Sequence, residues 1–105
     1  MKFFSVATSV ILLGSAAAVP AWELTLYRAD GRSVNAYGTV NSGCVNWDFD
    51  MTTSPVNRAV FSESAYADTF ELYEGKECQE PVSYREGKGD HAVNPPRVIQ
   101  SYSVY

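Results

Sequence analysis

No stretch of this chain sustains apolar residues at helical spacing, and only its N-terminal run stays hydrophobic for longer than a strand. The first absence argues against helical and α/β folds, which rest on amphipathic repeats near 3.6 residues. The second leaves no bilayer-spanning candidate, because the N-terminal run is shorter than the roughly 20 apolar residues a spanning helix needs. Histidine and cysteine are scarce: His91 stands alone, with only Cys44 and Cys78. That set cannot close a structural zinc site within one chain. Glycine-rich phosphate cradles ahead of a helix, nucleophile elbows and triad spacings are missing as well. No Asn-x-Ser/Thr sequon occurs, so N-glycosylation shields no face.

Positive charge is the minority sign. Eight Lys and Arg stand against 12 Asp and Glu, for a net charge of −4. An acidic surface repels phosphate backbones and anionic bilayers, which argues against nucleic-acid binding and membrane insertion. Glu71, Glu74, Glu77, Glu80 and Glu86 gather in the second half, where they read first as a solvated face.

What is present begins with a targeting segment. Lys2 supplies the positive start, and Phe3 to Leu13 is apolar apart from Ser5, Thr8 and Ser9. Ala16-Ala17-Ala18 and Val19-Pro20-Ala21 each offer the small residues a signal peptidase needs. Residues 1–21 are expected to be a signal peptide, which makes the protein secreted and extracellular; a retained anchor is the alternative. Removing Lys2 with the segment takes the net charge from −4 to −5. Residues 22–105 then form one small domain. Domains of that size often need a covalent staple. An oxidising compartment favours pairing Cys44 with Cys78, against the alternatives of a free thiol or an intermolecular bridge.

Within the domain, alternation of apolar and polar residues predicts an all-β fold. Trp22, Leu24 and Leu26 alternate with Glu23, Thr25 and Tyr27 up to Ala29-Asp30-Gly31, and Ser33 to Tyr37 makes a second strand. Cys44 to Met51 is expected to point Val45, Trp47, Phe49 and Met51 inward; Arg58 to Ser62 makes a fourth strand. Ser64 to Asp68 reads as a connection with room for one helical turn. The pattern then restarts, since Leu24-Thr25-Leu26-Tyr27 matches Phe70-Glu71-Leu72-Tyr73. Tyr37 and Tyr84 follow at similar distances. Pro55 to Val60 answers Asn94 to Ile99, with Asn94-Pro95-Pro96 as a stiff entry to the last strand. Two units of four strands, about residues 22–65 and 66–105, predict one β-sandwich.

Tyr73-Glu74-Gly75-Lys76-Glu77-Cys78-Gln79-Glu80 resembles the folded-hairpin signature of the βγ-crystallin superfamily. Tyr73 stands at its first aromatic position, Cys78 at the second and Glu80 at the glycine. In the first unit Tyr27, Arg32 and Val34 fill the same three places, and the turn glycines sit at Gly31 and Gly75 instead. The resemblance implies two Greek-key motifs packed as one βγ-crystallin-like sandwich. Size and signal peptide also resemble small secreted proteins of filamentous fungi, among them toxin-like, inhibitor and effector-type virulence proteins. The superfamily's calcium motif, an Asn/Asp pair followed two positions later by Ser/Thr-Ser, is sought at Ser54 to Ala59 and Asp90 to Arg97. Its hydroxyl pair is missing from both stretches, so no metal or other cofactor is expected and calcium is disfavoured. The series Asn46, Asp48, Asp50, Thr52 reads as the wet face of a strand.

These residues lead to a non-enzymatic protein that binds an extracellular host or competitor protein. Seven tyrosines exceed what a small core needs, and Tyr66, Tyr73, Tyr84 and Tyr102 of the second unit are the candidate binding surface. No catalytic residue is assigned. The alternatives are a small hydrolase using His91 with Glu86 or Asp90 and Arg97, or a structural, stress-related extracellular protein.

Overall fold

The computed structural model describes residues 21–105, so the expected signal peptide lies outside the described residues except for Ala21. Alternation in the sequence becomes eight strands: β1 (Trp22–Arg28), β2 (Ser33–Gly38), β3 (Gly43–Asn46), β4 (Val56–Ser62), β5 (Phe70–Tyr73), β6 (Tyr84–Glu86), β7 (Gly89–Arg97) and β8 (Ser101–Val104). They form two antiparallel four-stranded sheets, ordered β2-β1-β4-β7 and β3-β8-β5-β6. The third strand of each half therefore lies at the edge of the other half's sheet. Neither half closes its own sheet.

Inward residues of both sheets fill the core. Leu24 and Leu26 of β1 stand opposite Phe61 and Ala59 of β4, while Phe70 and Leu72 of β5 stand opposite Val104 and Tyr102 of β8. All eight are buried. Phe61 and Phe70 meet across the interior with ring centroids 5.1 Å apart, and Trp47 covers Tyr102 at 4.7 Å. Both distances fit aromatic pairing. Cys44 and Cys78 form the expected disulfide.

The matching of the two halves holds at β1 and β5 and changes beyond them. Leu26 pairs with Val34, whereas Leu72 pairs with Tyr84, so Tyr84 corresponds to Val34 and not to Tyr37. Tyr27 faces Arg58 and Tyr73 faces Ser101, so the counterpart of Arg58 is Ser101, not Arg97. A better pair escaped the sequence reading. Gly43 opposite Val104 and Gly89 opposite Phe61 occupy corresponding places, and their φ of +64° and +131° favours glycine at both.

Three local expectations are corrected. The alternation from Cys44 to Met51 does not extend one strand: β3 stops at Asn46, and Phe49 points into solvent at 60% exposure. Asp50 Oδ1 accepts from Thr52 N at 3.0 Å and Thr52 Oγ1 at 2.6 Å, opening a 3-10 turn over Met51–Thr53. Local side-chain bonds of this kind compete with sheet pairing. Pro95 and Pro96 lie inside β7, ahead of the turn to β8. An edge strand tolerates the missing donors. Ser64 to Asp68 makes no helical turn; Ser64 Oγ accepts from Tyr66 N and Ala67 N and folds the segment as a bend.

Candidate functional site

The four tyrosines of the second half do not share one surface. Tyr66 is 64% exposed, but Tyr73 and Tyr102 are buried and Tyr84 is half-buried. Tyr73 and Tyr102 are consumed by the fold, and the candidate surface loses them. Tyr66 gains other company. Ser64 Oγ donates to Thr39 O at 3.2 Å, which ties the 63–69 connection to the chain leaving β2. Tyr37 and Val40, 75% and 60% exposed, flank that tie from the first half. An open depression of about 360 Å³ runs along Glu63, Ser64 and Tyr66.

Among the described residues no side-chain hydrogen bond links His91 to Glu86, Asp90 or Arg97. His91 Nε2 lies 2.9 Å from Gly87 O, and its ring packs 6.0 Å from Phe70. Asp90 takes a bidentate contact from Arg58 at 2.8 and 2.6 Å. Arg97 donates to Ser83 O and Pro95 O.

The loop before the last strand of the first half is not where the sequence reading put it. With β4 starting at Val56, that loop is residues 47–55, and with β8 starting at Ser101 its counterpart shrinks to residues 98–100. The longer loop does hold a hydroxyl pair, Thr53-Ser54, separated from Asp50 by Met51 and Thr52. Its oxygens are engaged locally: Asp50 by Thr52, and Ser54 Oγ by Asp30 N at 3.0 Å. Arg28 Nη1 donates to Asp50 O at 3.1 Å, which sets a guanidinium where a cation would need oxygens. Among the described residues no group of three or more His, Cys, Asp or Glu is placed to hold a metal ion.

Comparison with family models, with curated proteins and with solved structures finds no match to this chain.

The acidic cluster of the second half is not a uniform solvated face either. Glu71 is buried on the outer side of β5, covered by its partners. Oε1 accepts from Tyr73 Oη at 2.6 Å; Oε2 accepts from Tyr105 Oη at 2.6 Å and Arg85 Nε at 2.7 Å. Burial is the largest single influence and pushes the Glu71 carboxyl up, but bonds from Tyr105, Tyr73 and Arg85 together hold it below the usual carboxylate value. The bond to Glu71, then burial, push the Tyr73 hydroxyl from 10.0 up to about 12. No feature of the sequence marks Glu71 out from the other glutamates.

This cluster sets a pH profile for folding. Stability from Glu71 is complete above the ordinary carboxylate value and is lost as pH falls through the lowered folded one. Stability from Tyr73 is complete below 10.0 and is lost as pH rises through about 12. Replacing Glu71→Gln is expected to cost about 2–3 kcal/mol near neutral pH, since the charged acceptor of three donors is removed. The variant's midpoint should also fall less steeply above pH 10.0, because without Glu71 the Tyr73 hydroxyl loses the main bond that holds it up at about 12. Urea midpoints for both proteins from about pH 3 to about pH 12 check this; coincident curves would refute it.

A second buried charge sits at the end of β1. Trp22, Leu24, Leu26 and Arg28 share the inward phase of the strand, and Arg28 is only 6% exposed. Its Nε is enclosed and has no hydrogen-bond partner, and the same holds for Trp47 Nε1. This was legible in principle, because an arginine two residues after Leu26 continues the apolar alternation. Arg28 lines a pocket of about 410 Å³ with Arg32, Val34, Phe49, Asp50 and Thr53.

Proposed function

We propose that the chain is a secreted, non-enzymatic protein that acts outside the cell by binding a host or competitor protein, built on a βγ-crystallin-like pair of Greek-key motifs. The fold reading is supported by the exchange of third strands between the sheets and by the corresponding places of β1 and β5, each beside the last strand of its own half. Secretion is supported by the composition of residues 1–21 and fits a formed disulfide.

One observation carries the binding reading: Tyr37 near the end of β2, and Val40 and Tyr66 on the two connections that the Ser64–Thr39 bond holds together, expose large side chains. Tyrosines on a braced segment give broad contact at low entropic cost. Of the titratable side chains singled out for catalysis, Asp90 is held by Arg58 and His91 by the Gly87 carbonyl.

Immobilised residues 22–105, with a reduced and unfolded control, should capture a saturable partner from extracellular fluid of a host or competitor. Tyr37→Ser with Tyr66→Ser should weaken capture at least tenfold, as hot-spot residues do, while His91→Ala leaves it intact. Capture that ignores both tyrosines, or an activity lost only in His91→Ala, would overturn the reading.

A further inference from the structure

The pocket at Arg28 lies apart from the tyrosine-bearing connections and has a chemistry of its own. A guanidinium presents five donors and carries a permanent charge. Arg28 keeps it almost wholly out of water, with a bond to the Asp50 carbonyl and an Nε that meets no acceptor. No carboxylate of the described residues comes within salt-bridge distance of it. Buried charges are costly and are normally paired. This one faces an opening large enough for a small organic molecule.

The walls define what would fit. Arg32 stands on the same rim, though Asp30 already holds its Nε and Nη2 at 2.9 and 2.7 Å. Val34 and Phe49 give the pocket an apolar side, and Phe49 is a loop aromatic with no core role. Asp50 adds a negative charge to the lining, which disfavours any ligand carrying more than one. A carboxylate matches a guanidinium edge in shape and charge.

We propose that this pocket binds a single carboxylate attached to an apolar or aromatic body, with the Nη end of Arg28 taking the carboxylate and Phe49 and Val34 taking the body. The carboxylate comes either from a free small acid or from the terminus of a peptide. This site is independent of the protein-binding surface, and either can exist without the other.

Benzoate titrated into the folded domain, followed by amide NMR, tests it. Saturable shifts are expected at Arg28, Val34, Phe49 and Thr53, with a Kd on the order of 1 mM for so small a ligand. Benzyl alcohol, which keeps the ring and lacks the charge, and inorganic phosphate should each bind at least about tenfold more weakly. Phe49→Ser, an exposed change that spares the fold, should weaken benzoate by a similar factor. Arg28→Lys, which keeps the charge without the fork, should do so too if it folds. A peptide ending in a free phenylalanine carboxylate that outcompetes benzoate, with its amide inactive, assigns the ligand to a chain terminus; benzoate binding as well as the peptide assigns it to a free acid. No saturable shift up to about 20 mM benzoate, equal binding of benzyl alcohol or phosphate, or benzoate binding unchanged in Phe49→Ser would overturn the proposal.

Discussion

Replacing Cys44 and Cys78 by serine together is expected to cost about 4 kcal/mol of stability, the chain-entropy value for a closed loop of this size. The bridge spans 34 residues of sequence and joins the edge strand β3 to the 3-10 turn Lys76–Cys78 that folds over the outer face of its sheet. In a domain whose total stability is about 5–15 kcal/mol, that is a large share. Two effects modify it. Glu77 and Cys78 hold φ of 64° and 50°, a left-handed backbone that costs each L-residue roughly 1–2 kcal/mol, and opening the bridge lets that turn relax. Against this, Asn46 donates to Glu77 Oε2 at 2.7 Å and accepts from Glu77 N at 2.8 Å, while Ser101 Oγ accepts from Cys78 N at 3.1 Å. These bonds keep the turn docked after the sulfurs part. The variant should therefore keep its β-sheet circular dichroism and lose urea midpoint. Equal midpoints for the variant and for protein shown to be fully oxidised would mean that polar bonds alone hold the turn.

The same turn shows what the sequence could and could not disclose. Strand positions followed from the pleat: with side chains alternating at a period of 2, Trp22, Leu24 and Leu26 had to share a face, and so did Phe70 and Leu72. Two cysteines admit one intramolecular pairing, so the bridge was legible once oxidation was granted. What alternation cannot report is the covering of an outer face. Glu71 follows the outward phase of β5 and is nonetheless buried, because Tyr105, Arg85 and Tyr73 close over it. Tyr73 and Tyr102 looked like surface side chains by type alone, yet one is spent on Glu71 and the other on Trp47. Phe49 failed in the opposite direction, since the Asp50–Thr52 bonds end the pleat before it. Of the tyrosines assigned to binding, Tyr66 alone is exposed, and the segment its connection is tied to, with Tyr37 two residues before Thr39, lies far earlier in the chain. Such a juxtaposition depends on tertiary pairing, which a single sequence does not encode locally.

Phe70→Ala should be the most damaging single change, at about 3–5 kcal/mol. Phe70 is fully buried and belongs to β5, but the rings it meets come from both sheets: Phe61 at 5.1 Å and His91 at 6.0 Å from one, Tyr84 at 6.2 Å from its own. Truncation removes the transfer free energy of the ring and leaves a cavity between layers. The β-sheet backbone on either side restricts its collapse. Phe70→Leu keeps much of the volume and should cost roughly half as much, by loss of aromatic contact and imperfect fit. Tyr37→Ala, at a side chain 75% exposed, should stay within about 0.5 kcal/mol. The ordering of these three in urea, at unchanged m-value, is the measurement. An NMR shift of the His91 imidazole in Phe70→Ala, absent from Tyr37→Ala, ties the loss to this contact. If Phe70→Ala costs less than about 1 kcal/mol, the two sheets are not joined through this ring. The other buried side chains of the two sheets, Leu24 and Leu26 on one and Leu72 and Val104 on the other, would then carry the contact between the layers.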